Sequence, residues 1–235
     1  MVRNIPMYIT AMNAISGIVA IYMAYKGHYG LSMWCFVVAA IFDGMDGWVA
    51  RRLKVERLAG ANADMAADLI SFAIAPTAIL IIISNNQWGL WAALFFCAMI
   101  ILRLIRYRLM PMPAGVYLGL PSPVAATPVV AAVLMAVQVG NNMLFPIIIT
   151  VVAGILAIVP IQFPAWRHVS IKSIPKWIRA IYFSSCIICL FIFTEETVLA
   201  THLVYIIVSP LLLAAYISKN SELTPEEARL HDSNR

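Results

Sequence analysis

The sequence predicts an all-α, polytopic membrane helical bundle with about eight transmembrane helices, and three observations predict it. Hydrophobic residues make up 63% of the 235-residue chain and charged residues 11%, with a mean hydropathy of +0.89, a composition that excludes an ordinary soluble globular domain. Apolar stretches of about 20 residues, the length that crosses a bilayer, recur along the whole chain. Lys and Arg gather in alternate connections between them.

The first stretch, 8–25, follows Arg3 and carries Thr10, Asn13 and Ser16. With one basic residue before it and no Ala-x-Ala-like site after it, it reads as a retained helix and not a cleaved signal. Lys26-Gly27-His28 breaks the chain before 31–50, which runs into Arg51, Arg52, Lys54 and Arg57. The next span, 60–84, stops at Asn85-Asn86-Gln87, and 88–109 ends on Arg103, Arg106 and Arg108. After the break at 110–119, the stretches 121–139 and 143–163 flank Gly140-Asn141-Asn142. A polar segment, 164–176, leads to 177–194 and 198–218, divided by Glu195-Glu196. No linker or internal repeat interrupts this pattern, so residues 1–218 read as one transmembrane domain and 219–235 as a polar tail, in which Thr224-Pro225-Glu226-Glu227 resembles a helix start.

Fifteen of the sixteen Lys and Arg fall on one side of such a bundle, with only Lys26 on the other. The positive-inside rule therefore sets both termini on the cytoplasmic side of an integral membrane protein. These basic loops account for the net charge of +5, suit anionic lipid head groups, and call for no nucleic-acid partner. Cys35, Cys97, Cys186 and Cys189 all lie inside predicted spans, where Cys186-x-x-Cys189 reads as small packing residues and not a redox pair. His28 and His168 lie in loops and His202 in a late span. No Cys/His cluster, serine triad or phosphate-binding P-loop is present in the sequence.

Against this apolar background the acids concentrate in one stretch. Asp43 and Asp46 are three residues apart near the end of the second span, and Asp64 and Asp68 four apart near the start of the third. On helices each pair projects from one face, and two antiparallel helices bring all four together. Charge inside a bilayer is expensive, so such acids read as functional. Four hard oxygen donors with no His or Cys among them suit Mg²⁺, Mn²⁺ or Ca²⁺. Gly44, Gly47, Ala50 and Gly60 flank the acids on the same faces and leave a floor that a flat or bulky ligand can approach. A cation pathway would instead spread acids through successive depths or along broken helices. Clustering at the cytoplasmic edge favours a cation-dependent ligand site over a transporter.

The run Asp43-Gly44-Met45-Asp46-Gly47-Trp48-Val49-Ala50-Arg51, eight residues, then Gly60-Ala61-Asn62-Ala63-Asp64-Met65-Ala66-Ala67-Asp68 resembles the signature of the CDP-alcohol phosphotransferase family at every fixed position. The resemblance implies a six-helix catalytic core, here 1–163, with additional helices at 177–218. It also implies a homodimer in the membrane and metal-dependent transfer of the phosphatidyl group from a CDP-linked lipid to an alcohol with release of CMP. By it, Asp43, Asp46, Asp64 and Asp68 hold two divalent cations, Mg²⁺ or Mn²⁺, and Asp68 is also the general base. Gly44, Gly47, Ala50 and Gly60 line the cytidine and ribose pocket, and Arg51 meets a phosphate.

Flanking segments are similar to the serine-using branch of that family. They are Ile5-Pro6 with Thr10 and Asn13, Leu69-Ile70-Ser71-Phe72-Ala73-Ile74-Ala75-Pro76, Arg103-Leu104-Ile105-Arg106-Tyr107 and Gly119-Leu120-Pro121-Ser122-Pro123. Ala73 stands where that branch usually has Gly, and Leu69 stands where glycerophosphate-using relatives place Lys. The substrates so implied are CDP-diacylglycerol, or CDP-archaeol, and L-serine. Products with choline, inositol phosphate or glycerophosphate are the alternatives. Arg103 and Arg106 are candidates for the acceptor carboxylate or a lipid phosphate. Ser71 and Asn13 are candidate pocket residues, or else simple bonds between helices.

Overall fold

A computed structural model describes residues 5–53, 58–110, 116–140, 142–164 and 206. Among these residues seven α-helices follow one another: α1 (Ile5–Tyr25), α2 (Tyr29–Arg52), α3 (Leu58–Asp68), α4 (Ala75–Ser84), α5 (Gln87–Leu109), α6 (Ser122–Gln138) and α7 (Leu144–Ile158). A π-helical segment, Leu69–Ile74, joins α3 to α4 without a break, so Asn62–Ser84 forms one span. Among the described residues, four helical stretches are long and apolar enough to cross a membrane, Ile5–Tyr25, Tyr29–Ala50, Asn62–Ser84 and Gln87–Leu109. α6 and α7 are shorter apolar helices of 17 and 15 residues. The expected spans at 177–194 and 198–218 lie outside the described residues.

The corners follow from local chemistry. α1 ends because Gly27, at φ 77°, takes the left-handed position beyond the last turn, with its N–H on Ala24 O and that of His28 on Met23 O. α4 closes on Asn85 in the same left-handed conformation. Asn86 then caps α5, its Oδ1 accepting from Gly89 N–H at 2.7 Å. α1 begins at Ile5, three residues before the span read from hydropathy, since Pro6 is welcome in a first turn where its missing N–H costs nothing. α7 stops at Ile158, short of the predicted 163. Val159 precedes Pro160 and is driven to extended geometry, with ψ 133°.

Beyond α7 the chain forms the second strand of a small antiparallel ribbon. β1 (Val116–Leu118) pairs with β2 (Gln162–Pro164), Tyr117 opposite Phe163. Both segments had read as loop or helix end, because three-residue strands carry too short a pattern to register.

α1 and α2 form the closest antiparallel pair, α5 packs on α7, and α6 sits between α7 on one side and α2, α4 and the π segment on the other. Twelve residues of α6 are buried, among them Ala125, Ala126 and an unbroken run from Val129 to Leu134. Small side chains let the helices approach, as expected where lipid supplies no hydrophobic drive between them. α1 also lies close against the π segment. A Cβ at Gly17 would come within 2.9 Å of Ser71 Cα. Cys35 and Cys97 are free thiols, half-buried in α2 and α5.

Candidate active site

α2 and α3 bring three of the four predicted acids together. One carboxylate oxygen from each of Asp43, Asp64 and Asp68 lies within 4.8 Å of the others. Asp68 is near enough to Asp43 to share a hydrogen bond, and carboxylates at that range repel unless a proton or cation lies between them. Asp46 feels the charges of Asp64 and Asp43 but stands slightly apart. It is only 4% exposed, and its Oδ2 accepts a hydrogen bond from Thr10 Oγ1 of α1 at 2.8 Å. Spacing had suggested four carboxylates in one cavity; the structure groups three of them and holds Asp46 beside them through Thr10 of α1.

The small residues divide. Gly44 and Gly60 are exposed, and among the described residues no atom outside the adjoining helix backbone lies within 4 Å of the place a Cβ would take, so the packing described does not require glycine at either. Gly47 and Ala50 are half-buried on α2. Arg51 lies in the last turn of α2, and its side chain is outside the described set.

Arg103 and Arg106, predicted as neighbours in one acceptor site, part company. Arg103 is 7% exposed, donates from Nη1 to Ser122 Oγ at 2.5 Å, and its charge is felt by Asp68. Arg106 donates from Nη1 to Ile158 O at 2.6 Å and from Nη2 to Leu118 O at 2.5 Å, tying the end of α7 to the ribbon. Arg108 donates to Asn62 at the start of the third span.

Ser71 and Asn13 meet across the α1–π contact, Ser71 Oγ donating to Asn13 O at 3.0 Å. The Asn13 side chain is wholly buried, and neither its Nδ2 nor its Oδ1 has a hydrogen-bond partner. An unsatisfied buried amide costs about 1–3 kcal/mol, so a ligand or water beside it is worth that much. Thr10 and Ser122 are the contacts that sequence reasoning left without a role. The signal for Thr10 was available: a hydroxyl one turn before Asn13 on an otherwise apolar helix.

Comparison with known proteins bears on what such a site does. The family model described as CDP-alcohol phosphatidyltransferase matches residues 3–159. This chain belongs to the CDP-alcohol phosphatidyltransferase family. As a member of that enzyme family it resembles the CDP-diacylglycerol–serine O-phosphatidyltransferase of Methanocaldococcus jannaschii, 30% identical over 161 residues, 68% of this chain and 74% of that one. The archaetidylserine synthase of Methanothermobacter thermautotrophicus is 30% identical over 168 residues, 68% of this chain and 69% of that one. The protein of Mycobacterium bovis named as a CDP-diacylglycerol–serine O-phosphatidyltransferase is 29% identical over 147 residues, and the chain spans about half of its length (51%).

In this phosphatidyltransferase the acids fit divalent cations. The donors are all carboxylate oxygens, which suit hard ions. Asp68 Oδ1 is buried with no hydrogen-bond partner, an acceptor that a cation would satisfy. The site also sits in an integral membrane protein, at the end of α2 and the start of the next span.

Proposed function

We propose that this protein transfers the phosphatidyl group of CDP-diacylglycerol, or the equivalent group of ether-linked CDP-archaeol, to the hydroxyl of L-serine and releases CMP. The observation that carries the reading is the convergence of Asp43, Asp64 and Asp68, with ligand atoms within 4.8 Å of one another, in a helix pair that bears the family's motif. The names of the relatives favour serine as acceptor, and the archaeal pair among them supports either lipid.

Two Mg²⁺ or Mn²⁺ ions held by Asp43, Asp46, Asp64 and Asp68 would neutralise the acids, grip the diphosphate and stabilise charge on the attacking and leaving oxygens. In the proposed step the serine oxygen bonds to the lipid-linked phosphorus, the bond from that phosphorus to the CMP oxygen breaks, and Asp68 accepts the hydroxyl proton. A base must lie within hydrogen-bond reach of that proton, and the buried, unbonded Oδ1 of Asp68 is suited to it. Gly44 and Gly60 leave room over the helix backbone for the nucleotide, with Gly47 and Ala50 beside them. Arg51 is proposed to meet a phosphate. Arg103, already oriented by Ser122, is the better of the two arginines for the serine carboxylate, since both terminal nitrogens of Arg106 are engaged by carbonyls. Asn13 and Ser71 complete the acceptor side. The site and both termini are proposed to face the cytoplasm, from the distribution of basic residues. The chain is proposed to pair as a homodimer, from the family resemblance.

The test supplies purified protein with CDP-diacylglycerol or CDP-archaeol, Mg²⁺ or Mn²⁺, and serine, choline, inositol phosphate or glycerophosphate in turn. CMP release with serine is expected. Release with a different alcohol, or with none, overturns the assignment.

A further inference from the structure

Three threonines in this molecule stand four residues after a proline near the start of a helix: Thr10 after Pro6, Thr127 after Pro123 and Thr150 after Pro146. In each, the hydroxyl lies within hydrogen-bond distance of that proline's carbonyl, at 3.0, 2.6 and 2.7 Å respectively. This is the usual resting place of a threonine hydroxyl inside an apolar helix. Thr10 differs in having a second acceptor, Asp46 Oδ2 on α2, at 2.8 Å. A hydroxyl carries one proton and serves one acceptor at a time. An ionised carboxylate is the stronger acceptor, so the Thr10 proton goes to Asp46.

From this geometry we propose that Thr10 is a positioning residue, fixing the Asp46 carboxylate so that it can join Asp43, Asp64 and Asp68 around divalent cations. The inference rests on the metal-dependent reading above and concerns a residue that acts through Asp46. A carboxylate on a helix rotates about two bonds; here the Gly47 backbone N–H also reaches the group from within α2, and Thr10 is the side chain that holds it from another helix. Securing Oδ2 from α1 sets the plane of the group and directs its remaining lone pairs. It also makes the acid site depend on how α1 lies against α2, the closest helix pair in the bundle. Groups that hydrogen-bond a ligating side chain from behind are worth about 10- to 100-fold in metal affinity.

Thr10→Val removes the hydroxyl at nearly constant volume, and Thr10→Ser retains it. Mn²⁺ binding to the purified full-length protein in detergent, without substrate, is followed by the loss of the free-ion electron paramagnetic resonance signal. Thr10→Val is expected to weaken binding by about 10- to 100-fold while Thr10→Ser stays within about threefold of the parent, a pattern that loss of packing would not give. Thr10→Val added to Asp46→Asn is expected to weaken it no further, because the carboxylate it positions is gone. Should Thr10→Val fail to fold, Thr10→Ala takes its place in both measurements. Unchanged affinity in the variant lacking the hydroxyl, equal weakening by Ser and Val, or fully additive loss in the double variant would each overturn the proposal. If the parent protein itself binds no Mn²⁺, the metal reading falls along with it; if the parent binds and the variant matches it, only the role of Thr10 falls.

Discussion

The acid-bearing side of the bundle, α1 to α3, and the opposite side, α6 and α7, both bury polar side chains, to different ends. In α6 and α7 the hydroxyls of Thr127 and Thr150 end on carbonyls of their own helix, among Ala, Val and Leu. On the acid side the bonds leave the helix. Thr10 reaches Asp46, Ser71 reaches the backbone of Asn13, and Ser32 reaches Ala20 O. A buried hydroxyl is therefore no sign of function by itself. What separates the hydroxyls of the two regions is that Thr127 and Thr150 close on their own helices, whereas Thr10, Ser71 and Ser32 reach across to a neighbouring helix, and Thr10 finishes on a carboxylate.

Three measurements would break or sharpen that contrast. The largest effect is expected at Asp68, where replacement by Asn should cut CMP release by about 10²- to 10⁴-fold, the usual worth of a general base, with the fold retained. A rate within tenfold of the parent would remove Asp68 from that role. Next is Arg106→Ala, which strips two carbonyl bonds from the ribbon end. It should lower stability to denaturant in detergent by about 1.5–3 kcal/mol and shift the KM values for serine and CDP-lipid equally. A selective rise in the serine KM would move Arg106 to the acceptor site. The smallest effect is expected at Thr150→Val, a loss of about 0.6 kcal/mol, typical of a hydrogen bond inside a membrane bundle, with Mn²⁺ affinity unchanged. A drop in Mn²⁺ affinity there would erase the distinction between the two sides.

Much of this was legible in the chain. The acid spacing announced the convergence of Asp43, Asp64 and Asp68, since helical periodicity converts offsets of three and four into a shared face. Among the described residues, the four long apolar helices fall within a few residues of the spans read from hydropathy. The π segment was invisible, because Leu69–Ile74 is apolar and continuous with its neighbours and its wider turn answers to packing against Gly17 of another helix. The separation of Arg103 from Arg106 was equally hidden. Three residues apart, they share a helix face in one dimension, but Arg103 meets Ser122 while Arg106 meets a strand and a helix end that only the tertiary fold supplies. Partner identity is a long-range property, and spacing does not encode it.

The wide turn after Asp68 has a consequence for the span that contains it. Because its bonds skip one residue more than an α-helix allows, the portion carrying Asp64 and Asp68 is rotated about the axis relative to the place an unbroken α-helix from Ala75–Ser84 would give it. A single rod thus has two angular registers: the end bearing Asp64 and Asp68 is aimed at chemistry, and the stretch from Ala75 to Leu80 is locked to neighbours by packing. Re-aiming the acids would require migration of that one loosened coil, leaving the anchorage of the rod untouched.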